Sequence, residues 1–161
     1  MSRFEVRVSK DYLVFPAGHF ITYDGKCESL HGHNYRASVS VEGDIDENHF
    51  VLDFVDLKRM MREIVGELDH KMLLPTENPA LTITEEDGGV RVRYRDRLYV
   101  FPRQDVVFLP VPNTTAEMIA RYLAERLRDA LGKRGVGRLS GISVEIEESF
   151  GQSAIYRESL E

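Results

Sequence analysis

The chain is 161 residues long, 42% hydrophobic and 30% charged, with a net charge of −6 at neutral pH. That acidic balance argues against a nucleic-acid or membrane-surface protein, and no apolar run approaches the ~20 residues of a membrane span. The length suits one domain, residues 1–161, and the single cysteine permits no internal disulfide, which points to a reducing cytoplasm.

Residues 4–15 alternate apolar and polar and are rich in Val, Phe and Tyr, which predicts a first strand. Residues 22–30, with Asp24, Gly25 and Ser29, read as a loop. Alternation returns over 33–42, with Tyr35, Ala37, Val39 and Val41 on one face, and His31 and His33 share that parity. A helix over 57–68 follows from the stripe Leu57, Met60, Met61, Ile64, Val65 and Leu68, with Asp53 or Asp56 as N-cap and a stop at Asp69-His70. An insertion covers about 76–113, in which Gly88-Gly89 separates Leu81-Thr82-Ile83-Thr84 from a second run, Val90 to Arg95, as a predicted hairpin. A second helix spans about 115–131, opened by a Thr114/Glu117 capping box and closed by Gly132 and Gly135. Ile142, Val144 and Ile146 alternate with Ser143, Glu145 and Glu147 in a further strand, and 153–157 make a last one. This order fits an α+β fold, an antiparallel sheet with helices on one face.

The densest chemistry lies in Cys27-Glu28-Ser29-Leu30-His31-Gly32-His33. Two histidines at i and i+2 of an extended segment project to the same side and can meet one metal ion, and Gly32 between them lets the backbone approach it. Three further histidines are present, His19, His49 and His70. His19 ends the first strand, next to the second, and is the chosen third ligand, since catalytic zinc commonly takes three protein ligands and keeps one position open. Cys27 is either the fourth ligand of a closed structural site or a free thiolate acting as a base beside an open one. His70, after Asp69, is either a partner of the helix C-terminus or an Asp-oriented imidazole that moves protons. His49, in an acidic loop, reads as surface. Glu148 takes the next inward position after Ile146, which is costly unless the carboxylate is paired or binds something; the alternative is that the strand ends first.

Taken together, these segments resemble the 6-pyruvoyl-tetrahydropterin synthase superfamily, which includes the 6-carboxytetrahydropterin synthases of queuosine biosynthesis. The likeness runs in family order through Phe15 to Phe20, Cys27 to Tyr35, Val51 to Lys58, Leu68 to Lys71, Asn113 to Glu117 and Glu148 to Tyr156. It implies the tunnelling fold, with a four-stranded antiparallel sheet and two helices on one face, here with an inserted β-hairpin. Subunits of that family form trimeric barrels stacked into hexamers. His19, His31 and His33 would bind zinc, Cys27 would abstract substrate protons, and Asp69 with His70 would form an acid–base dyad contributed across a subunit boundary. Glu148, helped by Thr115, would anchor the pterin ring.

The implied substrate is 7,8-dihydroneopterin triphosphate. The three-residue spacer between Cys27 and His31 is similar to that of the queuosine-pathway enzymes, which form 6-carboxytetrahydropterin with release of acetaldehyde and triphosphate. A 6-pyruvoyl synthase, eliminating triphosphate only, is the alternative, followed by a non-catalytic pterin- or metal-binding protein on the same scaffold. Arg36 and the stripe Arg91, Arg93 and Arg95 are candidate triphosphate contacts.

Overall fold

In the computed structural model, which describes residues 3–160, the early alternation becomes two long paired strands. Strand β1 (Phe4–His19) and strand β4 (His31–Gly43) run antiparallel, with a bulge between Ser9 and Val14. Both extend past the predicted ends, so that His19 stands directly opposite His31, and Ala17 opposite His33. The intervening loop holds a small hairpin of its own, β2 (Thr22–Tyr23) and β3 (Lys26–Cys27). Asp24 and Gly25, both at positive φ, turn it, as an Asp-Gly pair does in tight hairpins.

Helix α1 (Phe54–Gly66) begins earlier than the apolar stripe suggests, because the Asp53 carboxylate caps it by accepting from the Val55 N–H at 2.8 Å. It also ends earlier, and residues 67–70 form a turn that leads into β5 (Lys71–Pro75). There His70 adopts a φ of 59° while its N–H donates to the Pro16 carbonyl at 2.7 Å.

The insertion is richer than a hairpin. Strands β6 (Thr82–Glu86), β7 (Gly89–Tyr94) and β8 (Arg97–Pro102) form a three-stranded antiparallel meander. Its first turn uses Asp87-Gly88, both at positive φ, and Gly89 already belongs to the strand. Strand β9 (Val106–Leu109) then returns to the main sheet beside β5.

Helix α2 (Ala116–Lys133) is capped by Thr115, whose hydroxyl accepts from the Met118 N–H at 3.3 Å. Thr114 does not cap it; it is fully buried, and its hydroxyl donates to the Phe20 carbonyl at 3.2 Å. Strands β10 (Leu139–Ser149) and β11 (Gln152–Ser159) close the chain as a hairpin.

Among the described residues the main sheet has six strands in the order β11-β10-β4-β1-β5-β9. The expected four-stranded antiparallel sheet is thus corrected to a six-stranded mixed one: β11, β10, β4 and β1 are antiparallel, and β5 and β9 add to β1 in parallel. Inward side chains of β1, β4 and β10, among them Phe15, Tyr35, Val39, Val144 and Ile146, share one core with Leu57, Met61, Ile119 and Leu123 from the two helices. Burial of that face supplies the main driving force, at roughly 25 cal/mol per Å² of apolar surface. A second, smaller core of Phe20, Met72, Leu74, Val90, Val92 and Val106 joins the meander to the edge of the main sheet.

Candidate metal and proton-transfer site

The site lies where the core-facing side of the sheet runs out of apolar residues. On β1 the inward series Phe15, Ala17 continues to His19, and on β4 the inward Tyr35 is preceded by His33 and His31. On β10 the inward series ends at Glu148. One end of three adjacent strands therefore delivers three imidazoles and a carboxylate to one place. The ligand-capable atoms of His19, His31, His33 and Glu148 all lie within 4.8 Å of one another. The three rings are mutually edge-on, with centroids 4.7, 5.1 and 4.9 Å apart.

Backbone carbonyls fix the tautomers. Nδ1 of His19 lies 2.8 Å from the Thr114 carbonyl, and Nδ1 of His31 lies 2.8 Å from the Ser29 carbonyl. A carbonyl only accepts, so both Nδ1 atoms carry the proton and both Nε2 atoms present a bare lone pair. Those two Nε2 atoms face each other at 3.1 Å. Burial, the largest influence, pushes the pKa of His19 down, so the ring stays neutral. Two lone pairs at that distance repel unless a cation sits between them. His33 adds to this: its Nε2 is 2.9 Å from a Glu148 oxygen, yet the ring is not aligned to donate, and the buried atom has no hydrogen-bond partner. Three converging imidazoles, two of them held by outer carbonyls and the third with its buried Nε2 unsatisfied, fit a divalent metal of the kind that prefers nitrogen ligands.

Gly32 has a packing role in the sheet. A Cβ there would stand 3.0 Å from the Ala17 carbonyl oxygen. The missing side chain lets β4 close on β1, which brings the facing histidines together.

A cavity of about 650 Å³ opens beside this cluster, lined by His31, His33, Asn34, His70, Lys71 and Leu30 among others. His70 Nδ1 lies 2.9 Å from the Asp69 carboxylate, and the imidazole is largely exposed. Asp69 thus sits against the His70 ring, which lines the same cavity as His31 and His33. Cys27 is not among that cavity's lining residues. It is half-buried on β3, packed against the second core, with its Sγ 3.5 Å from the Glu28 carbonyl. Thr115 serves as the helix cap next to Thr114, and His49 sits in a left-handed turn held by Asp46. Arg36, Arg91, Arg93 and Arg95 do not line the cavity; Arg91 pairs with Glu86 at 3.3 Å and Arg95 lies over the Tyr94 ring.

The groups that hold the His19 and His31 rings, the Thr114 and Ser29 carbonyls, were not legible in the sequence. Both are backbone groups without a sequence signal. Glu28 is a carboxylate beside the thiol, whose Oε1 accepts from the Ile21 N–H at 3.2 Å; its adjacency to Cys27 was visible in the sequence.

The sequence model of the 6-pyruvoyl tetrahydropterin synthase family matches residues 7–159. A protein of Methanocaldococcus jannaschii named putative 6-carboxy-5,6,7,8-tetrahydropterin synthase is 36% identical over 150 residues, 92% of each chain. A dihydroneopterin monophosphate aldolase of Pyrococcus furiosus is 40% identical over 77 residues, 44% of this chain and 66% of that one. Among solved structures, a Plasmodium vivax 6-pyruvoyltetrahydropterin synthase superposes with a TM-score of 0.94 at 28% identity, covering 99% of this chain and 100% of that one. It is described as a catalytic-residue mutant in which a glutamate is replaced by alanine.

Proposed function

The chain belongs to the 6-pyruvoyl tetrahydropterin synthase family, and from that premise we propose that it converts 7,8-dihydroneopterin triphosphate and one water to 6-carboxy-5,6,7,8-tetrahydropterin, acetaldehyde and triphosphate. The observation that carries this reading is the trio of inward Nε2 atoms of His19, His31 and His33 beside a cavity that also holds His70. The carboxy-forming reaction is favoured over the pyruvoyl one by the three-residue spacer before His31 and by the name of the M. jannaschii relative.

His19, His31 and His33 would hold zinc. Zinc bound there would polarise the side-chain oxygens of the substrate and acidify the adjoining C–H bonds. Cys27 accepts a proton from the substrate side chain. His70, kept in one orientation by Asp69, delivers and removes protons on the same side chain. Glu148 accepts hydrogen bonds from the amino and ring N–H groups of the pterin, with Thr115 at the adjoining helix start. The exchange of oxidation state is internal to the substrate, so these residues move protons only.

For assembly we place the chain in the tunnelling fold, a homo-oligomer of trimeric barrels paired into a hexamer with sites at subunit interfaces.

The test is incubation of the zinc-loaded protein with 7,8-dihydroneopterin triphosphate and an acetaldehyde assay. Acetaldehyde at one equivalent per triphosphate supports the proposal. Triphosphate without acetaldehyde shifts the assignment to the pyruvoyl synthase, and zinc retention without turnover leaves a binding protein.

A second reading is favoured by Glu28. A glutamate is catalytic in the P. vivax relative, and the P. furiosus relative is named an aldolase. With Glu28 rather than Cys27 as base, the same site would cleave the dihydroneopterin side chain by a retro-aldol step and leave a hydroxymethyl pterin. Cys27→Ala would then spare this product while Glu28→Gln abolishes it.

A further inference from the structure

The segment between β5 and α2 reaches back to the thiol loop at three points. Asn78, which is buried, donates from Nδ2 to the Thr22 hydroxyl at 2.8 Å. Asn113 donates from Nδ2 to the Thr22 carbonyl at 2.8 Å. Arg97, the first residue of β8, donates from Nη1 to the Cys27 carbonyl at 2.9 Å and to the Glu28 carbonyl at 3.4 Å. Thr22 and Cys27 are themselves cross-strand partners, so the hydrogen bonds grip both strands of one small hairpin. Apolar contact supports the grip: Cys27 packs on the second core, and Tyr99 stacks on Phe20 with centroids 4.8 Å apart.

We propose that the meander is a brace for the β2–β3 loop and that Arg97 is the positioning residue of Cys27. A two-stranded ribbon this short is not stable by itself. Its register depends on what holds it from outside, and the guanidinium does so by meeting two successive carbonyls of the residues that carry the thiol and the neighbouring carboxylate. A misplacement of about 1 Å in a reacting group costs on the order of 100-fold in rate. The catalytic part of the inference rests on Cys27 as base; the mechanical part does not.

Hydrogen exchange and turnover, measured on Arg97→Met, separate the two parts. This variant keeps the aliphatic stem and loses the donors, at an exposed site. Backbone amides of residues 22–30 are expected to exchange about tenfold faster, as befits loss of a charge-assisted hydrogen bond, while the helices exchange as before. Turnover is expected to fall about tenfold with KM within about twofold and metal content unchanged. Arg97→Lys, whose ammonium lacks the fork, recovers part of both. Unchanged exchange over 22–30 in Arg97→Met overturns the brace. Cys27→Ala is the reference: if it is inactive and Arg97→Met turns over like the parent, the positioning role is overturned. If Cys27→Ala stays active, the base reading has failed, and faster exchange in Arg97→Met still supports the brace.

Discussion

At residue scale, one detail decides the chemistry: two outer carbonyls force two inner lone pairs to face each other at 3.1 Å. A metal removes that repulsion. Replacing His19 by Ala is therefore expected to lower zinc affinity by on the order of 100-fold or more, read by competition with a chromophoric chelator. Glu148→Gln is expected to keep zinc and weaken pterin binding, because the carboxylate is assigned to the ring; loss of zinc in that variant would make Glu148 a ligand instead. Gly32→Ala forces β4 off β1 and is expected to cost about 1–3 kcal/mol in thermal unfolding. The lowered pKa of His19 has a sign. Below about 6.5 the unfolded chain takes up a proton that the folded ring resists. The metal-free protein should thus lose stability as pH falls through 6.5 and regain it above, in melts of apo protein from pH 5 to 8. Much of this cluster was legible in the sequence, since the parity of β4 and β10 aims His31, His33 and Glu148 at one face. The tautomer locks were not, because backbone acceptors leave no residue signature.

At element scale, the sequence reading missed the short β2 and β3, the third meander strand β8, and the two parallel strands β5 and β9, of which the last two are the most instructive. Their inner runs, Met72-Leu73-Leu74 and Val106-Val107-Phe108-Leu109, do not alternate. A short, continuous apolar run cannot be told from buried helix or loop by period. The antiparallel strands, half-covered by helices, show clean alternation and were read with small errors at their ends. The Asp24-Gly25 and Asp87-Gly88 turns were readable signals of two-residue hairpins. The capping error at α2 has a physical origin: Thr114 and Thr115 are chemically equivalent in sequence, and only burial assigns Thr114 to the Phe20 carbonyl and Thr115 to the cap. Thr115→Ala should accordingly destabilise the protein by about 1 kcal/mol in chemical denaturation.

At the scale of the whole molecule, the ends of β1, β4 and β10 and the turn at Asp69-His70 meet around one cavity, and the proposed reading adds the β2–β3 loop, braced by the meander, as the source of the base. The central claim is that this site makes 6-carboxytetrahydropterin. Mass spectrometry of the pterin formed by the zinc-loaded protein from 7,8-dihydroneopterin triphosphate tests it most directly. The account predicts the 6-carboxy-5,6,7,8-tetrahydropterin mass, absent from Cys27→Ala; unconverted substrate, or 6-pyruvoyltetrahydropterin alone, would contradict it.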